Sequence, residues 1–329
     1  MPPRRWSSLG SLAAALSLAC SARLDAGFDE PRGLLPVDGR NPLVVVNDGG
    51  LDNWQGEYAA LLAAAGRAKL LGLVVNSSAE YSSLETNVGN FRAMVTAARD
   101  SGMRGVPDPT ASIAPALTRP DSSRIEDTIP NRSEGARLLS ELAREHGSAA
   151  RPLAIATGGA LTDVADAYLL DPALAERVVV VASLGQSTTT GASTADPNGA
   201  RDPWATEIVM SRLRYVQVNG YYDQLLDIPD ERVSELPDNA FGAWLANKRS
   251  SLLDRLVACD QLSVLAVALP WFASSVTKVR LDEEDATLLV DDASGPLWHV
   301  TRCEASRARE ELWSLLLAPR TFTAASAAP

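Results

Sequence analysis

The chain has 329 residues, enough for one large α/β domain or two small ones, and 46% of them are hydrophobic, which makes a sizeable core available. Its formal net charge of −11, with basic residues scattered rather than clustered, argues against a nucleic-acid polymer as partner, because such surfaces are basic. Its two histidines, His146 and His299, stand in no paired-ligand pattern, which argues against a His-ligated zinc site.

The first 20 residues read as a leader. Arg4 and Arg5 form a basic start, and Leu9–Ala19 is an apolar run ending in small residues. That run is shorter than the about 20 apolar residues of a spanning helix. Ser17-Leu18-Ala19-Cys20 resembles a lipoprotein cleavage box, in which Cys20 becomes the lipidated first residue; a plain secretory leader is the other reading. Both place the mature protein outside the cytoplasm, with membrane attachment only through a lipid on Cys20. Without Cys20, Cys259 and Cys303 allow one bridge at most. Residues 21–40 lack periodicity and read as a linker, 41–320 as the domain, and 321–329 as a disordered tail.

The domain opens on Leu43–Val46, a short β-branched run read as a buried strand. Asn47-Asp48-Gly49-Gly50 breaks it with turn residues, and Trp54–Ala65 has apolar residues at helical spacing. This strand–turn–helix unit puts Asp48 at the carboxyl end of a strand and Asp52 and Asn53 at the mouth of a helix. In open α/β sheets that edge binds ligands. Three oxygen-bearing side chains on a glycine-bent loop suit a hard cation such as Ca²⁺. A helix cap with two turn residues is the plainer alternative.

Lys69–Val75 reads as the second strand, ending at the polar Asn76-Ser77-Ser78, and Leu84–Asp100 as a helix closed by Gly102. Val106–Pro130 carries five prolines and reads as a long irregular loop. Ser133–His146 is a helix and Pro152–Ala156 a strand, and the glycine turn Thr157–Asp163 leads into a helix over Val164–Leu170. Arg177–Leu184 is the strongest strand signal. After a Gly/Ser/Thr loop, Asp196–Pro203 leads into the helix Trp204–Leu213 and the strand Tyr215–Val218. Phe241–Leu256 and Gln261–Leu269 are helical, Val276–Leu281 and Ala286–Val290 read as a late hairpin, and Glu304–Leu317 as the last helix. This alternation predicts an open, mostly parallel sheet with helices on both faces, a Rossmann-like α/β fold.

Four pieces, in order, resemble the nucleoside hydrolases, the inosine-uridine preferring nucleoside N-ribohydrolases. Val46–Asn53 matches the DxDPGxDD signature, and Gly159-Ala160-Leu161-Thr162-Asp163 a GPLTN-like turn. Asp196–Ala205 matches EFNxxxDPxA, and Cys259-Asp260-Gln261-Leu262-Ser263 an HDPLA-like helix start. The resemblance implies a bound Ca²⁺ held by Asp48, Asn53, the Thr162 carbonyl and Asp260, with Asp48 as the base that takes a proton from the attacking water. It implies ribose contacts from Asp52, Asp196 and Asn198, with Asn76 near a further sugar site, a small riboside as substrate, and homo-oligomers as the common assembly.

Three positions depart from the pattern. Val46 and Asn53 stand where the family has aspartates, and Asn53 removes one negative charge from the implied metal site. Cys259 replaces the histidine that helps the leaving base depart; a thiol is a poor donor there, and a buried cysteine is often simply packed. Asp260 also admits a plain helix-cap reading. Tyr221, Tyr222 and Trp244 could stack on a base or belong to core and rim. His146 reads as a helix-end structural residue. Two functions follow: a Ca²⁺-dependent hydrolase of ribosyl N-glycosides, or a sugar- or nucleoside-binding lipoprotein on the same fold.

Overall fold

The computed structural model describes residues 34–49, 54–76, 83–184, 197–218, 228–251, 260–282 and 289–322. The strands are β1 (Pro42–Asn47), β2 (Lys69–Val75), β3 (Pro109–Ala111), β4 (Leu153–Gly158), β5 (Val178–Ala182), β6 (Arg214–Val218), β7 (Ala273–Leu281), β8 (Leu289–Asp291) and β9 (Leu297–Cys303). The helices are α1 (Gln55–Ala64), α2 (Leu84–Asp100), α3 (Glu134–His146), α4 (Thr162–Leu170), α5 (Pro197–Arg201), α6 (Pro203–Arg212), α7 (Ala240–Ser251), α8 (Gln261–Ala268), α9 (Ala305–Leu317) and α10 (Pro319–Phe322).

The described strands form one sheet in the order β3-β2-β1-β4-β5-β6-β9-β7-β8. Pairing is parallel from β3 through β9 and antiparallel where β7 meets β8 and β9. The central strands are buried on both faces, which is why they read as near-continuous Val, Leu and Ala runs. Alternate residues feed two cores. Leu43 and Val45 face α1, α2, α7, α8 and α9, whereas Val44 and Val46 face α3, α4 and α6.

The chain winds outward from β1 through β2 to β3, then returns to place β4 on the other side of β1. The reversal falls at the carboxyl ends of β1 and β4, where Asn47 pairs with Gly158, the place where such sheets open a crevice. This is the topological switch point at which doubly wound sheets bind ligands.

Four features differ from the expectations. Leu35 and Val37, expected in a linker, are each 4% exposed, because their apolar side chains find cover in the first core. The loop Val106–Pro130 contains β3 and a single 3-10 turn at Ile125–Asp127. Strand β9 went unforeseen, since its sequence LWHVTRC mixes polar and apolar residues; it lies between β6 and β7 and joins the late hairpin to the parallel sheet. Helix α10 continues to Phe322, and Thr321 is buried with its hydroxyl on the Leu315 carbonyl at 2.7 Å, so order extends past the expected boundary at residue 320.

Candidate functional site at the β1–β4 crevice

Asp48 leaves the end of β1 and is 4% exposed. A tight turn holds it: the Gly49 N–H donates to Asn47 Oδ1 at 2.6 Å, with Gly49 at φ +78°. A side chain at Gly49 would be strained in that conformation and would collide with Asn87 of α2. Asn87 in turn donates its amide to the Asp48 carbonyl. The chain around Asp48 is therefore fixed from the strand and from a helix.

Asp260 reaches the same edge from 213 residues away: the Asn47 amide donates to its Oδ2 at 3.1 Å. The same amide donates to Gln55 Oε1 at 2.8 Å, Gln55 donates to Ser263 Oγ at 2.7 Å, and Ser263 donates to the Asp260 carbonyl at 2.7 Å. This closed ring ties β1, α1 and α8 together beneath the crevice. The carboxylate of Asp260 makes no capping bond to α8, so the plain helix-cap reading of that residue fails. It is turned instead toward β4, where a Cβ on Gly158 would stand 2.6 Å from its Oδ2.

Gly159 closes the opposite wall. A Cβ there would lie 3.0 Å from the Asp48 nitrogen and 3.3 Å from Asn76 Oδ1. Asp48, Asn76 and Asp260 thus gather around the bare backbone of Gly158-Gly159. Asn76, directly after β2, is 5% exposed and donates to Asp163 Oδ2 at 3.0 Å. That bond fixes its amide and leaves Oδ1 buried on the crevice side, without a partner among the described residues. A buried acceptor of this kind calls for a donor, from a water or from a bound molecule.

Asp163 is itself wholly buried and accepts from Ser112 Oγ at 2.5 Å and Ser133 Oγ at 3.0 Å. Burial pushes its carboxyl above the ordinary range; these three hydrogen bonds oppose the shift, and the nearby Asp166 charge adds to it. The group anchors Asn76 and takes no place in the crevice.

The expected sugar-binding segment supplies a cation. Arg201, the last residue of α5, donates from Nη1 to Asp48 Oδ2 and to Asn198 Oδ1 at 3.2 Å. Next to it, Asp202 accepts from Thr162 Oγ1 at 2.8 Å, from the Leu117 N–H at 2.9 Å and from the Ala205 N–H at 2.9 Å. Burial raises the Asp202 carboxyl, and those bonds oppose the rise without cancelling it. Consecutive residues therefore clamp Asp48 and Thr162.

Of the expected residues, Asp48, Asn76, Asn198 and Asp260 meet at this edge, and Thr162 is joined to it through Asp202. Asp52, Asn53, Asp196, Cys259, Tyr221, Tyr222 and Cys20 lie outside the described residues. Trp244 is packed against the first core with Nε1 on Glu57 Oε1 at 3.0 Å, and Lys248 joins the same carboxylate at 2.8 Å, which favours the packing role over base stacking. His146 ends α3 and lies 3.6 Å from the Glu145 carboxylate.

Arg201, Asn47, Gln55 and Ser263 were not anticipated. Asn47 alone carried a signal, as a polar residue ending an apolar strand. The donors among the described residues do not by themselves fit Ca²⁺ as arranged; Asn53, an expected ligand, lies outside them. The Oδ2 of Asp48 faces a guanidinium, and among the described residues no three acidic, histidine or cysteine side chains converge as a metal cluster.

No protein-family model matches the sequence, and no curated protein matches it either. Solved structures do match the fold. An inosine-uridine preferring nucleoside hydrolase from Bacillus anthracis superposes with a TM-score of 0.61 at 16% identity, covering 84% of this chain and 99% of its own. A purine-preferring ribonucleoside hydrolase from Gardnerella vaginalis gives 0.60 at 14%, covering 85% and 100%. The type III effector XopQ, solved with adenosine diphosphate ribose, gives 0.57 at 12%, covering 92% and 99%.

Proposed function

We propose that this chain, which has the nucleoside hydrolase fold, cleaves the N-glycosidic bond of a small riboside in the β1–β4 crevice. Such cleavage needs a water activated beside the anomeric carbon and a pocket that tolerates an oxocarbenium-like transition state. Asp48 is the general base, a buried carboxylate whose backbone is held from β1 and α2. The lone acceptor of Asn76 takes a hydrogen bond from a sugar hydroxyl, and Asn198 and Asp260 flank the ring. These contacts hold the sugar so that its anomeric carbon faces the water. The bare Gly158-Gly159 backbone lets the Asp260 and Asp48 side chains come close to the end of β4 and so to the sugar between them.

One arrangement carries the reading: side chains from three distant parts of the sequence converge on two glycines at the switch point of the sheet. Relatives of this fold are nucleoside hydrolases and an ADP-ribose-bound effector, which supports nucleosides and ADP-ribose as the first compounds to try. The leader over residues 1–20 would deliver the activity outside the cytoplasm, anchored through Cys20 or released.

The test is release of free reducing sugar from a panel of nucleosides and ADP-ribose. Turnover in the native protein that collapses in Asp48→Asn supports the hydrolase. Saturable binding of a riboside with no sugar released from any member would leave a binding protein on this fold instead.

A further inference from the structure

We propose that the guanidinium of Arg201 occupies the seat of a divalent cation on Asp48, so that the crevice is charge-balanced without a metal ion. The pair is enclosed, with side chains 15% and 6% exposed. The same Nη1 also holds Asn198, and the backbone behind it is fixed because Asp202 caps α6 and binds Thr162 and Leu117. Arg201 is thus built into the site and is not a surface side chain that strays into it.

Charge counting points the same way. The resemblance sets three carboxylates around a doubly charged ion, a net charge of minus one. Here position 53 is asparagine, leaving Asp48 and Asp260 as carboxylates, and Arg201 adds one positive charge. Two carboxylates with one guanidinium again leave minus one. The carboxylate missing at position 53 and the Arg201 guanidinium compensate each other only if the ion is absent. A divalent ion added beside Arg201 would meet a like charge at close range in a buried setting, where the repulsion is poorly screened. The guanidinium cannot lose its proton to relieve the conflict, as a lysine could.

This inference deepens the reading of the crevice as the hydrolytic site, but its test reads metal binding and not turnover, so either can fail alone. The full mature chain, stripped with EDTA, is titrated with Ca²⁺ by calorimetry, and its melting temperature is measured with EDTA and with Ca²⁺. The expected result is no saturable binding up to about 1 mM, the weak end of protein calcium sites, and no shift in melting temperature. Arg201→Met should melt lower without metal and gain a Ca²⁺-dependent rise. Stoichiometric Ca²⁺ binding by the native protein, or a melting temperature that falls in EDTA, would overturn the proposal. So would a folded Arg201→Met that gains no response to Ca²⁺. Should that variant fail to fold, the native titration decides by itself.

Discussion

Arg201 and Asp48, 153 residues apart in sequence, face each other across the crevice as a buried ion pair. The pair joins the two segments that matter most for the proposed chemistry: the end of β1, which offers the base, and the α5–α6 corner, which offers the sugar contact Asn198. Neither residue can be changed without disturbing the other. Asp48→Asn keeps the shape of the side chain but removes the proton acceptor and leaves the guanidinium facing an amide. We expect kcat to fall by a factor of about 10²–10⁴, as for loss of a general base. Stability should fall by about 3 kcal/mol, as for a buried pair deprived of one partner. Steady-state kinetics and urea unfolding of the same preparation measure both; unchanged turnover would remove Asp48 from the mechanism.

Gly158 gives a sharper test of geometry. A methyl group there would stand 2.6 Å from Asp260 Oδ2, closer than any real contact permits, and Asp260 is braced by the ring of Asn47, Gln55 and Ser263. Neither side yields easily. Gly158→Ala should cost about 1–3 kcal/mol, as overpacking does, and should abolish riboside binding by displacing Asp260. Gly159→Ala is milder, since its nearest contacts are at 3.0–3.3 Å. Equal thermal shifts for the two variants would contradict this account.

Much of this organisation is legible in the sequence for a simple reason. Parallel strands buried on both faces must be apolar and β-branched, and the turns at their carboxyl ends must be polar and glycine-rich, so LVVVNDGG and LAIATGG announce both the strand and the site edge. Asp48, Asn76 and Asp260 are found because each follows such a run or opens a helix. Arg201 is not found, because a single arginine before an Asp-Pro corner has no pattern to distinguish it from a solvated one; only the fold of α5 against β1 reveals its partner. Strand β9 is hidden for the opposite reason. Its polar residues include His299, which pairs across to Gln217 and Thr277 in the sheet and needs no alternation with solvent to be there.

Asn76 separates ground-state binding from chemistry. Its Oδ1 is presented to the crevice, while its Nδ2 serves Asp163. Asn76→Ala removes one hydrogen bond to the sugar and one to a buried carboxyl. The first loss should weaken riboside affinity roughly tenfold, the worth of about one hydrogen bond. The second should lower stability by about 1–3 kcal/mol, because Asp163 keeps only its two serine donors. A calorimetric titration with a nucleoside reads the first effect and thermal unfolding the second. Full affinity in a stably folded variant would place the sugar elsewhere.

His299 contributes to the response to pH. It is 5% exposed on β9, and among the described residues neither Nδ1 nor Nε2 has a hydrogen-bond partner. Burial lowers its pKa below the ordinary 6.5; the charge of Asp291 opposes that shift without reversing it. The folded protein thus binds a proton here less readily than the unfolded chain. Where the unfolded state binds more protons, stability rises with pH. The contribution of His299 is therefore fully present above pH 6.5 and is lost as pH falls from there through the lower folded value. His299→Leu removes both the partnerless ring and this linkage. It should raise stability at pH 7 by about 1–2 kcal/mol, since a buried polar group without partners is costly. The Asp163 and Asp202 carboxyls, whose folded values are raised, titrate in the opposite sense and are common to both proteins. The difference in melting temperature between His299→Leu and the native chain should thus widen as pH drops from 7 toward 5. A difference that stays constant across that range would show that the ring finds a proton-accepting partner in solution.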